Sequence, residues 1–155
     1  MISKLKEIAI RLIVADRSPT KLALAFCMGI YVAFSPFIGL HTLIMLACAW
    51  FCHLNFAMMY FASHLVNNPL TIAPLYWFDH LVGKKVCLMV FGFVPTNPLW
   101  MNWLNAKINA YTGLTGISLW AFMIGGNLLG LLASVMLYPF MVWFFNRILS
   151  NDKAT

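Results

Sequence analysis

The sequence predicts an all-α integral membrane protein. It has an N-terminal interfacial amphipathic helix, two broken-helix (re-entrant) hairpins and one long transmembrane helix. Three observations lead there. Hydrophobic residues make up 63% of the 155 and charged residues only 9%, whereas a soluble domain carries about a quarter charged and under half apolar. No Asp, Glu, Lys or Arg occurs from Leu22 to Phe78 or from Ile108 to Asn146, and each block is far longer than one buried helix requires. A capping residue followed by proline interrupts the first block twice, at Ser35-Pro36 and at Asn68-Pro69. A soluble enzyme, a disordered chain and a secreted disulfide scaffold are excluded.

The chain reads as one membrane domain over residues 1–155. Residues 2–15 place Ile2, Leu5, Ile8, Ala9, Leu12 and Ile13 on one side, with Ser3, Lys4, Lys6, Glu7 and Arg11 opposite. That is an amphipathic helix suited to an anionic leaflet. Ser18 caps the next helix and Pro19 takes its first turn. The first hairpin spans 20–54. Its arms, about 21 Å and at most about 27 Å long at 1.5 Å per residue, fall short of a hydrocarbon core about 30 Å thick. The second hairpin spans 56–82 and breaks at Asn67-Asn68-Pro69-Leu70-Thr71. Each break pairs a capping residue with a proline expected at the first helical position. Residues 86–116, rich in Gly, Pro and Asn with Trp100, Trp103 and Tyr111, form an interfacial connector. The transmembrane segment is 117–146. Along it Gly126, Gly130 and Ser134 make a small-residue stripe that lets another helix approach closely, and they are the expected oligomer contacts.

Charge fixes orientation. Five of the ten bases (Lys4, Lys6, Arg11, Arg17 and Lys21) precede the first apolar block, which keeps the N-terminus cytoplasmic. The formal charge of +6 is explained by the membrane, and no nucleic-acid partner is expected. No removable signal peptide is expected, since no small-residue cleavage pattern follows the first apolar stretch. Cys27, Cys48, Cys52 and Cys87 read as buried free thiols.

The chemistry is expected at the breaks. A helix start inside a membrane exposes amides that lipid cannot satisfy, and its partial positive charge suits an anion. Two such starts could bind an anionic group using neither lysine nor arginine, as discontinuous transporter helices do. The candidate substrate-binding residues are Ser35, Pro36, Gly39, His41, Thr42, Asn67, Asn68, Pro69 and Thr71. The competing reading is that the two loops satisfy each other through their own side chains. His41 and His64 are candidates for proton coupling, because imidazole changes charge near neutral pH. Asp79 and His80, near Lys84 and Lys85, read as interfacial. No histidine pair has metal-helix spacing and no carboxylate accompanies one inside the apolar block, so no metal is expected. No cofactor or catalytic motif is expected either, and the chain is not read as an enzyme.

The run Ser18-Pro19, Lys21-Leu22-Ala23, Pro36-Phe37-Ile38-Gly39-Leu40-His41-Thr42, Leu54-Asn55 and Asn68-Pro69-Leu70-Thr71 resembles a bacterial membrane family. That family is known only as a domain of unknown function and is sometimes joined to a glycosyltransferase domain. Its members often carry a basic residue two before the asparagine, where this chain has His53. The resemblance implies residence in the bacterial inner membrane and brings no settled activity. By architecture the hairpins are also similar to DedA-type membrane proteins. The resulting expectation is a small multi-pass transporter or lipid-handling carrier for an anionic, phosphate-bearing or phospholipid-like substrate. That substrate would be held between the two broken-helix loops, and the protein would be a homo-oligomer in contact with membrane lipid. The alternative is a non-transporting accessory subunit of a glycolipid or envelope-assembly enzyme.

Overall fold

Helices dictated by apolar runs, and stopped by turn residues, account for the whole described architecture. The computed structural model describes residues 18–35, 39–68, 70–112 and 117–151. The expected interfacial helix at 2–15, Pro36 and Pro69 lie outside them. Six helices are present and, among the described residues, no strand: α1 (Pro19–Phe34), α2 (His41–Cys52), α3 (Phe56–Val66), α4 (Ile72–Phe91), α5 (Leu99–Thr112) and α6 (Leu119–Asn151). One of them, over Leu119–Ser150, is long and apolar enough to cross a membrane.

The start of α1 follows the expected rule. Proline occupies the first helical position, where its missing N–H costs nothing, and the Leu22 amide donates to the Ser18 carbonyl at 3.1 Å. The two later breaks depart from it. The second helix begins at His41 behind Leu40 and the fourth at Ile72 behind Thr71, several residues beyond Pro36 and Pro69. Around the second break the asparagines close the preceding helix instead of opening the next. The Asn67 amide donates to the Ser63 carbonyl at 2.8 Å, and Asn68 Nδ2 reaches back to the Leu65 carbonyl at 3.5 Å. The link between α2 and α3 is tight: His53 is left-handed (φ 50°) and its N–H returns to Ala49. Asn55 then caps α3, its side-chain oxygen accepting from the Met58 amide at 3.0 Å.

Two further boundaries differ from the sequence reading. The fourth helix runs through Gly83-Lys84-Lys85 and stops only at Gly92 (φ 74°), whose N–H returns to Leu88. Lysine is a good helix former, and the glycine that ends this helix is the one free to turn left-handed. The sixth helix continues past Pro139 to Asn151. Proline there removes one backbone bond without ending the apolar run.

Packing divides the chain into two compact units, one of residues 18–33, 39–68 and 130–151, the other of 34–35, 70–112 and 117–129. In the first, α1 is the buried element. Leu22, Ala23, Phe26, Cys27, Ile30 and Ala33 are all inside. A Cβ at Gly29 would strike the Met59 carbonyl and come within 2.9 Å of Ala62 Cβ, so α1 and α3 meet backbone to backbone. Ser134 Oγ donates to the Cys27 carbonyl at 2.8 Å, which joins the later part of α6 to the same helix. The second helix lies against α3 but buries only Met45.

In the second unit α4 meets the early part of α6. A Cβ at Gly83 would strike the Ala121 carbonyl, and one at Gly125 would strike the Asp79 carbonyl. Gly83 on α4, with Ala121 and Gly125 four apart on α6, lets the backbones come this close. The Tyr76 ring packs edge-on against Phe122, centroids 5.0 Å apart. Asn97 and Asn105 fix where α6 begins. Each donates to the Ile117 carbonyl at 2.7 Å, while Asn97 Oδ1 accepts from the Leu119 amide at 2.9 Å. Replacing Gly83 or Gly125 with alanine has nowhere to put the methyl except by moving backbone. Either variant should lose about 1–3 kcal/mol, the usual cost of overpacking. Thermal unfolding of the purified protein measures it, with exposed Leu132→Ala expected to change little.

Candidate functional site

Helix ends place the candidate residues. Ser35 is buried at the end of α1, and Pro36 lies outside the described residues. Gly39 is left-handed (φ 87°) with open space around it. His41 is the first residue of α2, half-buried, and Thr42 beside it is exposed. Asn67 is the C-cap of α3, Asn68 is half-buried, and Thr71 is exposed at the start of α4. His64 is exposed on α3, where its Nδ1 contacts the Tyr60 carbonyl at 3.0 Å and its ring stacks on Tyr60 at 4.0 Å.

Among these residues Asn67 makes a long-range tie. Asn67 Nδ2 donates to the Ala33 carbonyl at 2.9 Å, so the end of α3 closes the end of α1. This is the mutual satisfaction that a break inside a hydrophobic block requires. In the stripe, Gly126 lies against the Phe34 carbonyl, Ser134 donates to Cys27 and Gly130 is buried. Two of the three are thus engaged inside the chain.

The helix starts fall into two kinds. Asn55 caps α3. Asn97 accepts from the first amide of α6, and Ser118 Oγ accepts from Ala121 N at 3.3 Å. By contrast, α2 behind Leu40 and α4 behind Thr71 begin with no side-chain cap bond. These are the two helices that follow the proline breaks. An open groove on α2, lined by Leu43, Leu46, Ala47 and Trp50, is apolar and offers no group to orient a polar ligand. Among the described residues no cluster of three or more His, Cys, Asp or Glu could hold a metal ion.

The residue that sequence reasoning placed at an interface, and the structure places inside, is Asp79. Its side chain is fully buried, and neither carboxyl oxygen has a hydrogen-bond partner. His80 beside it is 5% exposed, with Nδ1 unpartnered and the ring hydrogen-bonded to the Ser118 backbone. A signal was present. Asp79 is the only acid between Asp16 and Asp152, and it precedes Gly83 by one helical turn. A small residue one turn away marks a face that another helix covers.

The Asn67 tie can be tested directly. Asn67→Ala should cost about 1–3 kcal/mol, because the carbonyl of buried Ala33 loses its donor. Leu65→Ala, at an exposed position on the same helix, should cost much less. Thermal unfolding of the two variants side by side separates them.

Comparison with known proteins gives a family without a described activity. No curated protein and no solved structure matches the chain. One family model matches residues 3–153, nearly the full length, and the chain therefore belongs to the family described as "Uncharacterized protein conserved in bacteria (DUF2062)".

Proposed function

We propose that this protein is integral to the bacterial inner membrane, its N-terminus cytoplasmic. It works there as a small carrier for an anionic, phosphate-bearing substrate. The membrane part rests on an inverted distribution of polarity. Trp50, Phe51 and Met136 are 72%, 73% and 76% exposed, while Ser35, Ser63, Asp79, His80 and Ser118 are buried. Only 17% of the most apolar window of α6 is buried, whereas the core helix of a soluble protein is mostly covered. Water would penalise so much exposed apolar surface, and lipid would not. The short arms α1, α2 and α3 fit re-entrant hairpins.

The substrate class rests on a single observation: α2 and α4 start without the side-chain caps that α3 and α6 have. A helix start in apolar surroundings offers amide donors and a partial positive charge, which suits a phosphate or carboxylate. His41 opens α2, next to those amides, and supplies a titratable group.

The test uses purified protein in lipid vesicles. Uptake of inorganic phosphate and flipping of a fluorescent anionic phospholipid are measured separately. The wild type should support one of them. His41→Gln keeps a polar side chain but removes the imidazole, and should lower the rate with normal insertion. Asn68→Ala leaves α4 its own start at Thr71 and should lower the rate at least tenfold with normal insertion. Full activity in both variants moves the site away from the breaks. Activity that requires an added glycolipid-synthesising enzyme would replace the carrier reading with an accessory one.

A further inference from the structure

The second unit holds a buried acid that the carrier reading does not use. Asp79 is 0% exposed, and both of its oxygens lack a partner. Its surroundings are set by close packing. The backbone of α6 at Gly125 presses on the Asp79 carbonyl, and a Cβ at Gly126 would lie 3.6 Å from Asp79 Oδ2 and against the Phe34 carbonyl. Phe34 is the last residue of α1, so its carbonyl belongs to a helix end that has lost its following turn. A carboxyl group and a helix-end carbonyl thus approach the same glycine.

Two acceptors brought to the same glycine in an apolar contact repel unless something near them carries positive charge or a donated hydrogen. An ionised Asp79 has no such relief. The groups around it are few. On α4, His80 is hydrogen-bonded to the Ser118 backbone, and Lys84 is exposed one turn further on. From α6 the facing residues are Ala121, Gly125 and Gly126, and no ionisable group occurs on that helix before Tyr138. From α1 the Phe34 backbone arrives. A metal cation would need a shell of several oxygens, and the described residues supply one carboxyl group and one carbonyl. A proton needs only one acceptor.

We propose that Asp79 is an exchangeable proton-binding site: the carboxylate takes up one proton to become a neutral acid whose hydroxyl donates toward the Phe34 carbonyl. Binding the proton completes the contact between α4, α6 and the end of α1, and releasing it places an unpaired charge there. The site is therefore a protonation-sensitive joint at the first break. It does not rest on the carrier reading, because it is tested without substrate.

The experiment uses the full chain in lipid. Asp79→Asn copies the neutral acid in shape and can still donate. The folded protein holds a proton that the unfolded chain releases above about pH 4. Wild-type stability should therefore fall as pH rises above about 4, by up to tenfold in the folding constant per pH unit, and level off once the folded protein has itself released the proton. The Asp79→Asn variant lacks that proton, so its profile should be flatter, and a His80→Gln background removes the imidazole's own share from both. Parallel profiles in wild type and Asp79→Asn would overturn the proposal. So would an Asp79→Asn protein as unstable as Asp79→Ala at every pH, since that would show the native state uses the ionised form. Infrared spectra of the wild type give a second readout that needs no variant to fold. A protonated-carboxyl stretch that shifts in heavy water is expected, and its absence at neutral pH refutes the site.

Discussion

The contact on which the second unit depends is the crossing of α4 and α6, where Gly83 and Gly125 leave no room for a methyl group. At that distance side chains on the two facing surfaces cannot turn away. Asp79 and Gly83 are one helical turn apart and share a face, so the face that allows the crossing carries the acid into it. The burial of Asp79 follows from the same geometry that packs the helices. Helices of Leu and Phe would cross at larger separation and leave such a residue reachable by water.

Helix ends impose the second constraint. Each break in an apolar block releases carbonyls on one side and amides on the other, and neither can be left bare away from water. The chain answers this with several devices. Asn67 donates across to Ala33. Gly92 and His53 turn left-handed and send their own amides back. Asn97 serves both ends of one short link, donating to Ile117 and accepting from Leu119. The starts of α2 and α4 stand apart from this pattern, and that contrast gives the anion reading its physical content.

Much of the helix layout was legible because the signals were local. The apolar blocks, the interruptions near Ser35 and Asn68, the proline start at Pro19 and the single long apolar helix all follow from residues close in sequence. What was not legible depended on which residues face each other. Gly83-Lys84-Lys85 looked like a terminus because charges usually mark an interface, yet nothing in those residues stops a helix, and α4 continues to Gly92. Asn68-Pro69 looked like the opening of a helix, but Asn67 and Asn68 were drawn to the carbonyls behind them. The small-residue stripe was read through Gly126, whereas the closest approach to α4 is made by its neighbour Gly125. Adjacent helical residues point about 100° apart, so the two glycines serve different partners. For the same reason Asp79 was grouped with Lys84 and Lys85 by proximity in sequence, when its surroundings are Gly125, Gly126 and the Phe34 carbonyl.

The two unusual features of polarity bear on one another. Exposed Trp50, Phe51 and Met136 would in water drive association through apolar contact, and nothing along α2 or the later part of α6 is charged enough to oppose it before Arg147. Buried polar groups, by contrast, cost least where each finds a partner, as Ser134 and Asn67 do. Asp79 is a buried acid with neither carboxyl oxygen paired. A chain with only four acids that keeps one of them at its tightest helix crossing gains no packing from it that alanine or glycine would not supply. Chemistry, and not packing, is then the reason for a carboxyl group at that position, and the chemistry open to a lone acid facing a carbonyl is the uptake and release of a proton.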